Sequence, residues 1–155
     1  MRLWWVAAFI GLLLSVSAKV FADLFLRTSS PLPIVGSWFG FDYALNPGIA
    51  FGVILPHLLQ SILIGFAFAA VLWFTHRWLL HPLCRIGVGL IIGGGAANIL
   101  DRLRDGVVTD FIVLWPFPLF NVADIHITLG ALLLIAGEFW PRMSQKALVG
   151  LQRKW

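Results

Sequence analysis

The chain has 155 residues, of which 60% are hydrophobic and 12% charged, with a formal net charge of +4 and a single cysteine, Cys84. With a mean hydropathy of +0.93, this composition excludes an ordinary soluble domain and fits one membrane-embedded domain spanning residues 1–155. The basic residues are scattered among apolar segments, which argues against a nucleic-acid partner and for loops facing anionic lipid; the lone Cys84 excludes an internal disulfide and a Cys-rich metal site.

After Met1 and Arg2, an uncharged run extends from Leu3 to Ala18. Val16-Ser17-Ala18 resembles the cleavage site of a secretory signal peptide. Lys19 is followed by more apolar residues up to Asp23, however, and about 20 residues cross a bilayer roughly 30 Å thick. The run is therefore expected to be a retained first membrane helix. In residues 27–47, Pro31, Pro33, Gly36 and Gly40 break helices, while Trp38, Phe39, Phe41 and Tyr43 suit short strands resting at a membrane interface. Tyr43 to Thr75 is again free of charge and predicts a second span over about residues 49–74, with Pro56 tolerated in a packed bundle. His76, Arg77, His81 and Arg85 then form a short basic loop without an acidic neighbour, so its histidines read as solvated. A third span over about residues 86–100 carries Gly89, Gly93 and Ala97 at helical spacing, a small-residue face for close helix approach. The fourth, over about residues 125–139, ends in a basic tail with Arg142, Lys146, Arg153 and Lys154.

With four spans, Arg2, Arg77, Arg85, Arg142, Lys146, Arg153 and Lys154 share one side, seven of the eleven Lys and Arg, while six of the seven acidic residues lie on the other. The positive-inside rule then puts both termini in the cytoplasm and the acidic loops outside. The expected fold class is an all-α polytopic membrane protein: a four-transmembrane-helix bundle with a small extracytoplasmic β element.

Chemistry concentrates between Gly93 and Asp124, a stretch holding Asp101, Asp105, Asp110 and Asp124. Carboxylates at the edges of membrane spans raise a functional hypothesis by default. Asp110 lies in VVTDFIVLW, a β-branched and aromatic run suited to a strand. Pro116 and Pro118 interrupt the chain before LFNVAD, so it can turn back and bring Asp124, in the first turn of the last helix, to Asp110. Two touching carboxylates share a proton. One then takes a proton from water while the other hydrogen-bonds the scissile carbonyl, the chemistry of an aspartic protease. The residues leave a structural reading open: Asn121 or Asp124 as a helix N-cap, and Asp101 with Arg102 as an ion pair on the helical face that also carries Asn98. No Ser-His-Asp set stands out, although His126 lies two residues past Asp124. Gly93-Gly94-Gly95 lacks the Lys-Ser/Thr of a phosphate loop. A small transporter using Asp101, Asp110 and Asp124 as a proton path finds no internal repeat to support it.

Four segments, in order, resemble the lipoprotein signal peptidase family (signal peptidase II), membrane aspartic proteases that process bacterial prolipoproteins. Asn46-Pro47-Gly48-Ile49-Ala50-Phe51-Gly52 is similar to the family's N-x-G-x-A-F-G, and Gly93 to Arg102 to its G-G-x-x-x-N-x-x-D-R. Val108-Thr109-Asp110-Phe111 resembles V-x-D-F, and Phe120-Asn121-Val122-Ala123-Asp124 resembles F-N-x-A-D. By that resemblance Asp110 and Asp124 correspond to the catalytic aspartates. Asn46, Gly48, Asn98, Asp101, Arg102 and Asn121 correspond to residues that hold substrate or shape the site. The resemblance also implies a diacylglyceryl-modified prolipoprotein as substrate, cut just before its lipidated cysteine by an activated water. It implies a monomer in contact with membrane lipid in the bacterial cytoplasmic (inner) membrane, inhibited by globomycin and needing no metal or cofactor. Two places depart from the pattern. Where the family has D-Q-x-x-K at the end of the first helix, this chain has Ser15-Val16-Ser17-Ala18-Lys19 and matches only at Lys19; after Asp124 the family commonly has Ser, and here Ile125-His126 follows. The alternative is a non-catalytic or divergent paralogue that binds lipidated peptides in the same groove.

Overall fold

The computed structural model describes residues 3–48, 63, 66, 69, 70, 73 and 82–152, with residues 138–152 as backbone only. Helix α1 (Leu3–Phe21) runs on through a π-helical turn, Ala22–Leu26, and a last turn, Arg27–Ser29. Helix α2 is Pro82–Asp105 and α3 is Val122–Gln152. Leu3–Ser29 and Pro82–Asp105 are long and apolar enough to cross a membrane, and α3 opens with a shorter apolar part, Val122–Gly137. They lie where the first, third and fourth spans are expected, and the first two of these segments are long enough to cross. The expected second span falls outside the described residues except at 63, 66, 69, 70 and 73, which are helical.

Both of these long helices outrun their expected ends because the polar residues met there are paired. Asp23, in the π turn, accepts from Tyr43 Oη at 2.8 Å and from Arg104 at 3.0 Å, so the charge does not end the helix. Helix α2 stops at Gly106, whose φ of +77° is the left-handed conformation that closes a helix; its N–H donates to the Arg102 carbonyl at 3.0 Å.

Glycines make α2 the middle of the bundle. A Cβ on Gly89 or Gly93 would collide with the Trp4 and Ala8 carbonyls of α1, and Ala97, on the same face, is fully buried. On the opposite side Gly87 and Gly130 face each other, and a Cβ on either would meet the other's carbonyl at 2.6 Å or 2.5 Å. Close backbone approach of this kind is what brings helices together where apolar burial alone gives no preference over lipid.

Strands β1 (Leu32–Val35), β2 (Phe39–Asn46) and β3 (Val108–Leu114) form an antiparallel sheet in the order β1-β2-β3. Phe41 pairs with Ile112 but Ala44 with Asp110, so β2 carries an irregularity between them that re-aims its end. One face of the sheet packs Phe111 against Ala22 and Leu26 of the π turn, with Phe41, Tyr43 and Val122 around them. Beyond β3 the chain reverses through Trp115 to Leu119, and Phe120 pairs back on Ile112. That reversal starts α3 beside Asp110.

Candidate active site

Asp110 is 3% exposed, at the middle of β3. Its Oδ2 accepts from the Asn46 amide at 2.8 Å and its Oδ1 from the Asn121 amide at 2.6 Å. Burial pushes its pKa above the ordinary aspartate range; the two amide donors oppose this, and the negative charge of Asp124 adds to it.

Asp124 sits in the first turn of α3. Its Oδ1 accepts from the Asn98 amide at 2.9 Å and its Oδ2 from the Asn121 backbone N–H at 3.0 Å. Asn121 returns the contact: its Oδ1 accepts from the N–H groups of Ala123 at 2.8 Å and Asp124 at 3.2 Å. This is a reciprocal helix cap in which Asn and Asp stand where Ser and Glu more often do. Asn121 therefore does cap the helix, and in the same pose its side-chain amide reaches Asp110. Capping and a two-carboxylate site coexist here. Each of the four carboxylate oxygens takes one amide donor, and a carboxylate oxygen can accept a second.

Behind this layer, Asn98 Oδ1 accepts from Lys19 Nζ at 2.7 Å and from the Asn121 amide at 3.3 Å. Lys19, 2% exposed, also pairs with Asp101 at 2.6 Å, and the same Asp101 oxygen accepts from the Thr109 N–H at 3.1 Å. Asp101 thus pairs with Lys19 of α1, not with Arg102 as the structural reading of the sequence had it. Residues 101 and 102 are adjacent on a helix, so their side chains diverge by about 100°. Arg102 turns the other way, donating to the Gly48 carbonyl at 2.8 Å and to the Asn98 carbonyl at 3.4 Å. Gly48 in turn donates its N–H to Asn46 Oδ1 at 2.8 Å.

Asn46, Asn98, Arg102, Asp110 and Asp124 line one end of a cavity of about 700 Å³; Leu114, Phe117, Phe120, Ile125 and Leu129 are among its apolar walls. Gly48, Asp101 and Asn121 stand behind and hold the lining residues in place. The structure therefore gathers all eight residues singled out in the sequence. It adds Lys19 as an integral member, and its signal was available: it is the one charged residue in the apolar run up to Asp23. It also adds Ser15 and His126, joined at 2.9 Å between α1 and α3. Among the described residues, no group of three His, Cys, Asp or Glu side chains is placed to hold a metal ion.

Two acidic groups in an apolar cavity, one with a raised pKa and both with acceptor capacity to spare, can bind and polarise a water molecule. A family profile described as Signal peptidase (SPase) II matches residues 7–140. The chain is 36% identical over 110 residues to a lipoprotein signal peptidase of Moorella thermoacetica, covering 70% of this chain and 73% of that one. It is 33% identical over 126 residues to the lipoprotein signal peptidase of Pelotomaculum thermopropionicum, covering 79% and 82%. A solved bacterial membrane enzyme structure superposes with a TM-score of 0.76 at 21% identity, over 91% of this chain and 89% of that one, and so shares the fold.

Proposed function

This chain belongs to the signal peptidase II family, and we propose that it is a membrane aspartic endopeptidase that removes the signal peptide from diacylglyceryl-modified prolipoproteins. The observation that carries the reading is the pair of carboxylates, each held by two neutral amide donors, at the polar end of an apolar cavity. The apolar walls suit the lipid of the modified cysteine, and the polar end receives the peptide bond before it. Of the other six residues, Asn46, Asn98 and Arg102 line the cavity and hold substrate or shape the site, and Gly48, Asp101 and Asn121 shape it from behind.

In this mechanism Asp110 and Asp124 hold one proton between them and one water. The ionised carboxylate removes a proton as the water oxygen attacks the scissile carbonyl carbon, while the protonated one hydrogen-bonds the carbonyl oxygen. When the tetrahedral intermediate collapses, the C–N bond breaks and a proton passes to the leaving amine. The products are the signal peptide's carboxylate and the free amino group of the lipidated cysteine. No metal or cofactor enters the steps as written. The whole chain acts as one domain in the cytoplasmic membrane of a bacterium, as a monomer with its site at the outer face, and a globomycin-type inhibitor occupies the same cavity.

The test is cleavage of a lipidated precursor by purified protein. Asp110→Asn and Asp124→Asn should each lower the rate by at least ~10²-fold while leaving a folded, membrane-inserted chain, because an amide cannot take the proton. Asn caps a helix about as well as Asp, so Asp124→Asn separates chemistry from capping. Near-parental cleavage by that variant would sink the assignment and turn attention to Asp101. A parent chain that binds the lipidated peptide but does not cut it would be the non-catalytic relative.

A further inference from the structure

Ser15, where this chain departs from the family's pattern, touches His126, the neighbour of the second departure at Ile125. Ser15 on α1 is fully buried, and its hydroxyl lies 2.9 Å from Nδ1 of His126 on α3. The hydrogen bond runs in the direction that the imidazole tautomer sets. Ser15 lies one helical turn before Lys19, and His126 lies two residues after Asp124. The pair therefore forms a second polar tie beside the Lys19–Asn98–Asp124 chain of contacts.

We propose that Ser15 and His126 are a positioning pair for Asp124, acting through the first turn of α3; this rests on the assignment of Asp124 to the reaction. Two residues along an α-helix turn through about 200°, so Asp124 and His126 leave α3 on nearly opposite sides. Asn98 holds Asp124 on the cavity side. On the other side Ser15 holds His126, with the Gly11 backbone beside the ring. Between them the turn rests on Gly94 of α2, where a Cβ would come within 2.5 Å of the Ala123 carbonyl and 3.2 Å of His126 Cβ. Rotation of α3 about its axis is thus opposed from both sides. At a side-chain radius of about 5–6 Å, a rotation of about 10° moves a carboxylate by about 1 Å. A misplacement of about 1 Å can reduce a rate on the order of 10²-fold. Both Asp124 oxygens already have amide donors, so the pair sets the aim of the carboxylate and leaves its hydrogen bonding unchanged.

The experiment is steady-state cleavage of a diacylglyceryl-modified precursor peptide by the detergent-purified full chain. The proteins compared are the parent, Ser15→Ala, His126→Phe, the double variant and His126→Asn. Ser15→Ala removes one buried oxygen and should lower kcat by ~10-fold with KM within about twofold. His126→Phe should do the same, and the double variant should be no worse than the weaker single. His126→Asn places an amide atom near the position of Nδ1, keeps the bond to Ser15 and should recover most of kcat. An unchanged kcat in Ser15→Ala, a loss carried by KM alone, or losses that multiply in the double variant would each overturn the proposal. A second readout does not depend on cleavage. The side-chain carboxyl ¹³C signal of Asp124, assigned by its disappearance in Asp124→Asn, should move in Ser15→Ala while that of Asp42 stays. An unmoved Asp124 signal overturns the positioning role. If the parent chain does not cleave and the signal still moves in Ser15→Ala, the pairing is upheld and the catalytic reading is overturned instead.

Discussion

Asn98 shows how closely single residues are used. Its one amide accepts from Lys19 and Asn121 and donates to Asp124, so three segments of chain meet on a single side chain. Asn46 is simpler and gives a cleaner test. It is one of two donors that stabilise the ionised form of Asp110 against burial. In Asn46→Leu that support is gone, so the Asp110 pKa, already raised, rises further. Asp110, with its raised pKa, holds the shared proton and sets the alkaline limb of the bell-shaped pH profile of kcat/KM, so that limb should move to higher pH. The variant should keep its activity further into mild alkali; an alkaline limb that stays put or moves to lower pH would mean that Asp110 does not titrate in the reaction. The two carboxylates and their asparagines were legible in the sequence because each sits in a short ordered motif. Lys19 was legible as a lone cation, but its partner was not, since 82 residues separate it from Asp101. Ser15 and His126 stood out only as part of the departures from the family's pattern, and their contact was not legible, because nothing local couples residues 111 apart.

Among the elements, α2 bears on the site most directly because it touches both α1 and α3. The spacing of Gly89, Gly93 and Ala97 revealed the face that meets α1. The second face, Gly87 with Gly94 toward α3, was not legible, because spacing along a helix does not say which neighbour each face meets. A Cβ at Gly93 would strike the Ala8 carbonyl and come within 2.8 Å of the Leu12 N–H, both backbone atoms unable to yield without moving the helix. Gly93→Ala should therefore destabilise the protein by about 1–3 kcal/mol, read as a lower thermal midpoint in detergent, and reduce cleavage as Lys19 shifts with α1. A variant as stable as the parent would mean that α1 and α2 do not meet along this face. Element ends were less legible than element identities. Asp23 and Asp101 look like stop signals until their partners are known, and those partners lie on other elements.

For the whole molecule, the seven-to-four division of Lys and Arg across the expected four spans gives an orientation. Reporter fusions should find both termini in the cytoplasm and the turn after α2, with Asp105, outside. Either terminus outside would overturn the orientation and the outer-face location of the site with it. The strands within residues 27–47 were legible from prolines and aromatics, whereas their register was not, because the irregularity in β2 follows from pairing with β3. The tie between Lys19 and Asp101 also has a consequence for how the chain is made. Synthesis delivers Lys19 to the membrane 82 residues before Asp101 exists. During that interval the nearest carboxylate is Asp23, four residues further along the same continuous helix, and the four-carbon stem of Lys19 lets its ammonium reach toward that end and the headgroups. Its buried position depends on α2, which carries Asp101, so burial of this charge requires α1 and α2 to have met. The polar end of the cavity requires Asp124 as well, and the growing chain holds no finished site until α3 is made.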